Sequence, residues 1–99
     1  MRVELRTEAR IDLVDGAEFY ENVSPGLGEH FLKCVRDDLA SLASTAGIHG
    51  SYRGFHRSLV RRFPFAIYYL VTSEVVDVVG VLDCRVEPKS TDERLGRTM

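Results

Sequence analysis

Ninety-nine residues make one domain, 1–99, with room for a single two-layer core. The composition, 44% hydrophobic and 28% charged, is that of an ordinary folded globule, and no apolar run approaches the roughly 20 residues of a membrane helix. A net charge of −2 argues against direct nucleic-acid binding, for which a domain is usually basic overall.

The chain opens with RVELR, whose alternation predicts a short strand with Val3 and Leu5 on one side and Glu4 on the other. The first ten residues alternate charge and lack the apolar centre of a signal sequence. Thr7 reads as an N-cap with Glu8 in the first turn. Ala9, Leu13, Ala17 and Tyr20, with Gly16 on the same stripe, then recur at helical spacing and predict a helix with a small-residue face suited to close packing. Ser24-Pro25-Gly26 is a break, with Ser24 as a cap and Pro25 as a first helical residue. Phe31, Val35, Leu39 and Leu42 predict a second amphipathic helix ending near Gly47, so that the two helices form an antiparallel hairpin. Residues 47–54 read as a loop carrying His49, Tyr52 and Arg53.

The rest reads as sheet. Strands are predicted over Arg57–Phe63, Phe65–Thr72 and Val75 to about Cys84, with Pro64 at the first junction and a Ser73-Glu74 turn at the second. Gly80 marks a bulge or a close approach of the helices. Residues 87–99, EPKSTDERLGRTM, are polar and charged and predict a mobile tail or a helix that orders on binding. The expected fold is α+β, strand-helix-helix-strand-strand-strand, with the hairpin on one face of a small, mainly antiparallel sheet and the other face partly open.

Charge is unevenly spread. Glu8 to Leu42 holds eight acids against three bases, whereas His49 to Ser73 holds Arg53, Arg57, Arg61 and Arg62 and no acid. A basic patch on an acidic body suits a protein partner better than a phosphate backbone. On a strand Arg57 and Arg61 share one face and Arg62 the other, so only one of the adjacent arginines can join an open face. The alternative for Arg61 or Arg62 is an ion pair with a helix carboxylate such as Glu18 or Asp38. Tyr68 and Tyr69 likewise point opposite ways, and one of them could be a surface tyrosine of the kind enriched at hot spots; otherwise both are packed. Asp12, Asp15, Asp37 and Asp38 read as a solvated helix face. Cys34 and Cys84 read as buried thiols in a reducing cytosol. No zinc-ligand spacing occurs, so no metal or other cofactor is expected.

The stretches EARIDLVDGAEFYE, GLGEHFLKCVRDDLASL and above all RSLVRRFPFAIYYLV resemble the RelE/ParE superfamily of toxin–antitoxin modules, in its ParE-like plasmid-stabilisation branch. The closing VVGVLDCRVEP, with Arg85 close to Pro88, resembles the last strand of that family. The likeness covers Val3 to about Pro88 and implies a RelE-like fold and a cytoplasmic toxin neutralised by a cognate antitoxin, as a homodimer or a toxin–antitoxin hetero-oligomer. It also implies one of three roles: a poison of DNA gyrase, a ribosome-dependent mRNA endoribonuclease, or a non-toxic antitoxin-binding orphan. The residues expected to bind target or antitoxin are Arg57, Arg61, Arg62, Tyr68, Tyr69 and Arg85. Arg85 stands where RelE-like ribonucleases carry an active-site arginine. Those enzymes add a lysine-rich strand and a tyrosine or histidine after that arginine. Here no lysine lies between Lys33 and Lys89, and neither residue type follows Arg85, leaving His49 and His56 as the candidate general bases. The gyrase reading is therefore preferred.

Overall fold

The computed structural model describes residues 1–98. Met99, the end of the expected mobile tail, lies outside the described residues. The elements are β1 (Arg2–Leu5), α1 (Thr7–Val23), α2 (Leu27–Thr45), β2 (Ser51–Tyr52), β3 (Phe55–Leu59), β4 (Phe65–Thr72), β5 (Val75–Asp83) and α3 (Pro88–Thr98). The sheet order is β1-β5-β4-β3-β2. β1 joins β5 in parallel and the other pairs are antiparallel. The α+β architecture with a helix hairpin on a mainly antiparallel sheet is as expected. β2 is additional to the expected elements, and α3 forms over the residues expected as a mobile tail or a helix that orders on binding.

The hairpin follows from its stripes. Ala9, Gly16 and Tyr20 of α1 and Phe31, Val35, Leu39 and Leu42 of α2 are buried. They meet Phe65, Ile67 and Tyr69 of β4 and Val76, Val78 and Val81 of β5 in the main core. The helices approach closely at their small residues. A Cβ on Gly28 would sit 2.5 Å from the Ala17 carbonyl oxygen, and one on Gly16 2.7 Å from the Phe31 ring.

The caps differ from the expected ones. Arg6, not Thr7, is the N-cap of α1. Ser24 ends α1, its N–H donating to the Tyr20 carbonyl, and Pro25 lies in the turn. α2 is capped by Glu21, whose carboxylate accepts the N–H groups of Gly26 and Gly28 at 3.0–3.1 Å.

The second face of the sheet, expected to be partly open, is covered by the segment expected as a mobile tail or a helix that orders on binding. Pro88 starts α3, a position that needs no backbone N–H. Leu95 closes a second, smaller core over Phe55, Ala66, Tyr68 and Val79. A bulge lets β5 serve both layers: Tyr68 pairs with Gly80 but Tyr69 with Val78, so Val79 is the extra residue and the facing of the strand switches there. Gly80 is also a close approach, since its Cβ would lie 3.4 Å from both Asp12 and Arg94.

The α1–α2 contact yields a test. Gly28→Ala gains helix propensity but drives a methyl into the backbone of Ala17, so it is expected to destabilise the protein by about 1–3 kcal/mol in chemical denaturation. Unchanged or raised stability would show that the helices do not pack at this distance.

Candidate functional site

The arginine-rich segment is not a continuous strand. β3 ends at Leu59, and residues 60–64 form a bend in which Arg62 is left-handed, with φ 72°. Strand alternation therefore does not govern Arg61 and Arg62, and both side chains are exposed. Val60 and Phe63 beside them are buried and anchor the bend in the core.

Asp38 on α2 fixes this bend. Its side chain is only 9% exposed, and it accepts the Arg61 backbone N–H at 2.9 Å and the Arg61 Nε–H at 3.0 Å. Arg61 is thus the partner of a helix carboxylate, one of the two alternatives open in the sequence, although its side chain remains 77% exposed. A second carboxylate, mostly shielded from solvent, acts alike on α1. Asp12 accepts the Val81 N–H at 3.0 Å and a bidentate contact from Arg94 at 2.7 and 2.9 Å. Arg94 donates also to the Val79 carbonyl, so the pair closes the edge of β5 that β1 leaves free beyond Val78. Asp12 and Asp38 are therefore structural ligands rather than part of a solvated face, while Asp15 and Asp37 are exposed.

The two tyrosines do not reach the surface. Tyr69 is fully buried and Tyr68 nearly so, because α1–α2 covers one side of β4 and the Leu95 cluster the other. Their hydroxyls are occupied. Arg57 Nε donates to Tyr68 Oη at 3.1 Å, with its guanidinium 5.9 Å from the ring centre and its Nη2 3.4 Å from Cys84 Sγ. Tyr69 Oη accepts the Gly47 N–H at 3.0 Å and lies 2.6 Å from His49 Nδ1. The Tyr69 hydroxyl thus joins the Gly47 amide and the His49 ring. His56 stacks on the same tyrosine, ring centres 5.0 Å apart, and its Nδ1 is 3.2 Å from the His49 carbonyl. Both histidines thus frame Tyr69. Cys84 is exposed and Cys34 half-buried, not the buried pair expected.

Arg85 is also engaged. Its Nε and Nη2 donate to the two oxygens of Asp83 at 3.0 and 2.8 Å, its backbone N–H donates to the same carboxylate at 2.8 Å, and its guanidinium lies 5.4 Å from the Phe19 ring centre. These hydrogen bonds hold the Asp83 carboxyl below its usual pKa. His56 pairs with Tyr69, whereas Asp83 pairs with Phe65 at the other end of β4. The along-strand rise and the two strand spacings between them put Arg85 on the order of 15 Å or more from His56. The nearer phenol is that of Tyr20, whose hydroxyl is buried without a partner among the described residues and whose pKa is raised by burial, with Arg85 opposing. That proximity, between residues far apart in the chain and on different elements, left no signal in the sequence.

The feature the sequence did not show is a cleft of about 390 Å³ between α2 and the bend, lined by His30, Lys33, Cys34, Asp37, Asp38, Arg61 and Arg62. Lys33 pairs with Asp37 at 3.2 Å and Arg61 with Asp38. Among the described residues, Arg62 is the cation of this cleft whose side chain has no hydrogen bond or ion pair.

Among solved structures, the chain is similar to one described as "Chromosomal ParDE TA system from P. aeruginosa", with a TM-score of 0.74 and 16% sequence identity over 82% of this chain and 92% of that chain. The fold is RelE/ParE-like. At that identity the likeness is one of fold. No protein-family model matches the chain. No curated protein matches it. No described helix is long and apolar enough to cross a membrane.

The Asp83–Arg85 pair gives a pH test. A carboxylate whose folded pKa lies below its unfolded value stabilises the fold fully above the unfolded value, and this stabilisation is lost as pH falls through the folded one. The stability difference between the protein and Asp83→Asn is therefore expected to be full at about pH 5 and above and to shrink toward about pH 2 in denaturant titrations. A difference independent of pH would show that the pair does not form.

Proposed function

We propose that the chain is the toxin of a toxin–antitoxin pair, binding a protein target and held inactive by a cognate antitoxin. The observation that carries this reading is the fold likeness over most of both chains to the "Chromosomal ParDE TA system from P. aeruginosa", joined to the ParE-like sequence stretches. The target proposed is DNA gyrase, and the compartment the cytoplasm. Of the residues expected to bind target or antitoxin, Arg61, Arg62 and Arg85 have exposed positions, and Arg57 is partly exposed. Tyr68 and Tyr69 support the site from within.

The geometry favours a binder over a ribonuclease. Cleavage of RNA needs a cation on the phosphate and a base within hydrogen-bond reach of the 2′-hydroxyl. Arg85 is chelated by Asp83, and His49 and His56 frame Tyr69 at the far end of β4.

Induction of the protein alone in bacteria is expected to arrest growth, raise DNA-damage signalling and leave transcripts intact, with rescue by the product of an adjacent gene. In vitro, it is expected to inhibit supercoiling by purified gyrase. Codon-phased transcript cuts that vanish in Arg85→Ala would instead assign a ribosome-dependent ribonuclease. Growth without arrest at full expression would assign an antitoxin-binding orphan.

A further inference from the structure

We propose that the cleft between α2 and the 60–64 bend is a docking site for a carboxylate on an acidic segment of a protein partner, with Arg62 as its charge contact. The proposal rests on the toxin reading only for who the partner is; the site itself is argued from its own residues.

Three observations converge. The first is the state of the charges. The acids of the cleft, Asp37 and Asp38, are each matched by Lys33 and Arg61, which leaves Arg62 as the cation available to a ligand. The second is how the cleft is built. Arg61 is held by Asp38 through both its backbone and its side chain, so the wall that carries Arg62 is preorganised. The third is the backbone of Arg62 itself. A left-handed conformation disfavours a branched or long L side chain by roughly 1–2 kcal/mol, and glycine adopts it freely. An arginine there, exposed and without a partner among the described residues, places a guanidinium over the cleft at a cost to stability.

The same charges select among ligands. A nucleic-acid strand carries a phosphate at every step and would meet Asp37 and Asp38, which line the cleft, and Glu29 with Arg36 in the adjoining depression on α2. Within the cleft, one or two carboxylates on a peptide match the guanidinium of Arg62, which binds a carboxylate in a bidentate fork. The cleft is polar, with half-buried Cys34 and exposed His30 beside the cations, so the occupant is a charged segment rather than an apolar helix face.

The test uses the full chain, labelled with ¹⁵N, and four probes: a blocked peptide of alternating glutamate and alanine, its glutamine counterpart, a uridine hexanucleotide and inorganic phosphate. The glutamate peptide is expected to shift the amides of Lys33, Cys34, Arg61 and Arg62 saturably, and the glutamine peptide is not. In Arg62→Gly the protein is expected to melt at the same or higher temperature, because the strain is relieved, while peptide affinity falls about tenfold or more, the scale of one charged hydrogen-bonding contact. Absence of shifts, equal affinity in Arg62→Gly, or tighter binding of the hexanucleotide or of phosphate would each overturn the proposal. Shifts of the same amides on concentrating the protein without peptide would assign the cleft to a second copy of the chain and overturn it as well. None of these readouts depends on toxicity, so failure here is distinct from failure of the toxin reading.

Discussion

A buried aspartate that accepts both a backbone N–H and an arginine is the interaction on which the site of this protein depends. Asp38 does this from α2 and Asp12 from α1. A carboxylate taken out of water is strongly unfavourable unless its oxygens are satisfied. Here two hydrogen bonds satisfy Asp38, and one N–H and a guanidinium fork satisfy Asp12. Each aspartate therefore determines where its partner backbone must lie. Asp38 places the bend after β3, and Asp12 places the free edge of β5 together with α3. The apolar stripes bring helices and sheet together, while the aspartates set the details that packing alone leaves open.

Once these links are drawn, the basic character of the sheet segment changes meaning. Arg6 is bound to Asp77, Arg53 to Asp92, Arg61 to Asp38, Arg85 to Asp83 and Arg94 to Asp12. Arg57 serves the Tyr68 hydroxyl. Of the four arginines of the 49–73 segment, Arg53 and Arg61 are thus held by acids of α3 and α2 and Arg57 by a phenol, although Arg53 and Arg61 stay exposed. Not all of these pairs contribute equally. Arg53 and Arg85 are half-exposed or more, where screening keeps an ion pair to a few tenths of a kcal/mol up to about 1 kcal/mol. The Asp12–Arg94 pair is nearly dry, so losing one partner would strand a charge.

The parts legible in the sequence are those governed by period. The stripes of α1 and α2, β4, β5 and the turn between them all follow from spacing of apolar residues, and Gly80 marks both a bulge and a close approach. What spacing does not encode is how a segment is held in place. In α3, PKSTDERLGRT, Thr91 and Leu95 are the buried residues, and the helix is held by its charges: Asp92 takes the Tyr52 hydroxyl and Arg53, and Arg94 takes Asp12. Read alone, those charges look solvated. Pro88 and the four-residue spacing of Thr91 and Leu95 were the available signals. Because α3 covers the second face, Tyr68 is buried as well as Tyr69. The bend at Arg62 carries no glycine or asparagine to announce a left-handed residue, since Asp38, distant in sequence, imposes it.

The most direct measurement is hydrogen exchange at the Arg61 amide. Arg61 lies in an exposed bend outside any strand, so its N–H has no ladder partner, and slow exchange there requires the Asp38 carboxylate at 2.9 Å. This amide is expected to be protected in the intact protein and to exchange freely in Asp38→Ala, with the amides of β4 still protected in both. Exchange of the Arg61 amide at the rate of an open chain in the intact protein would contradict it.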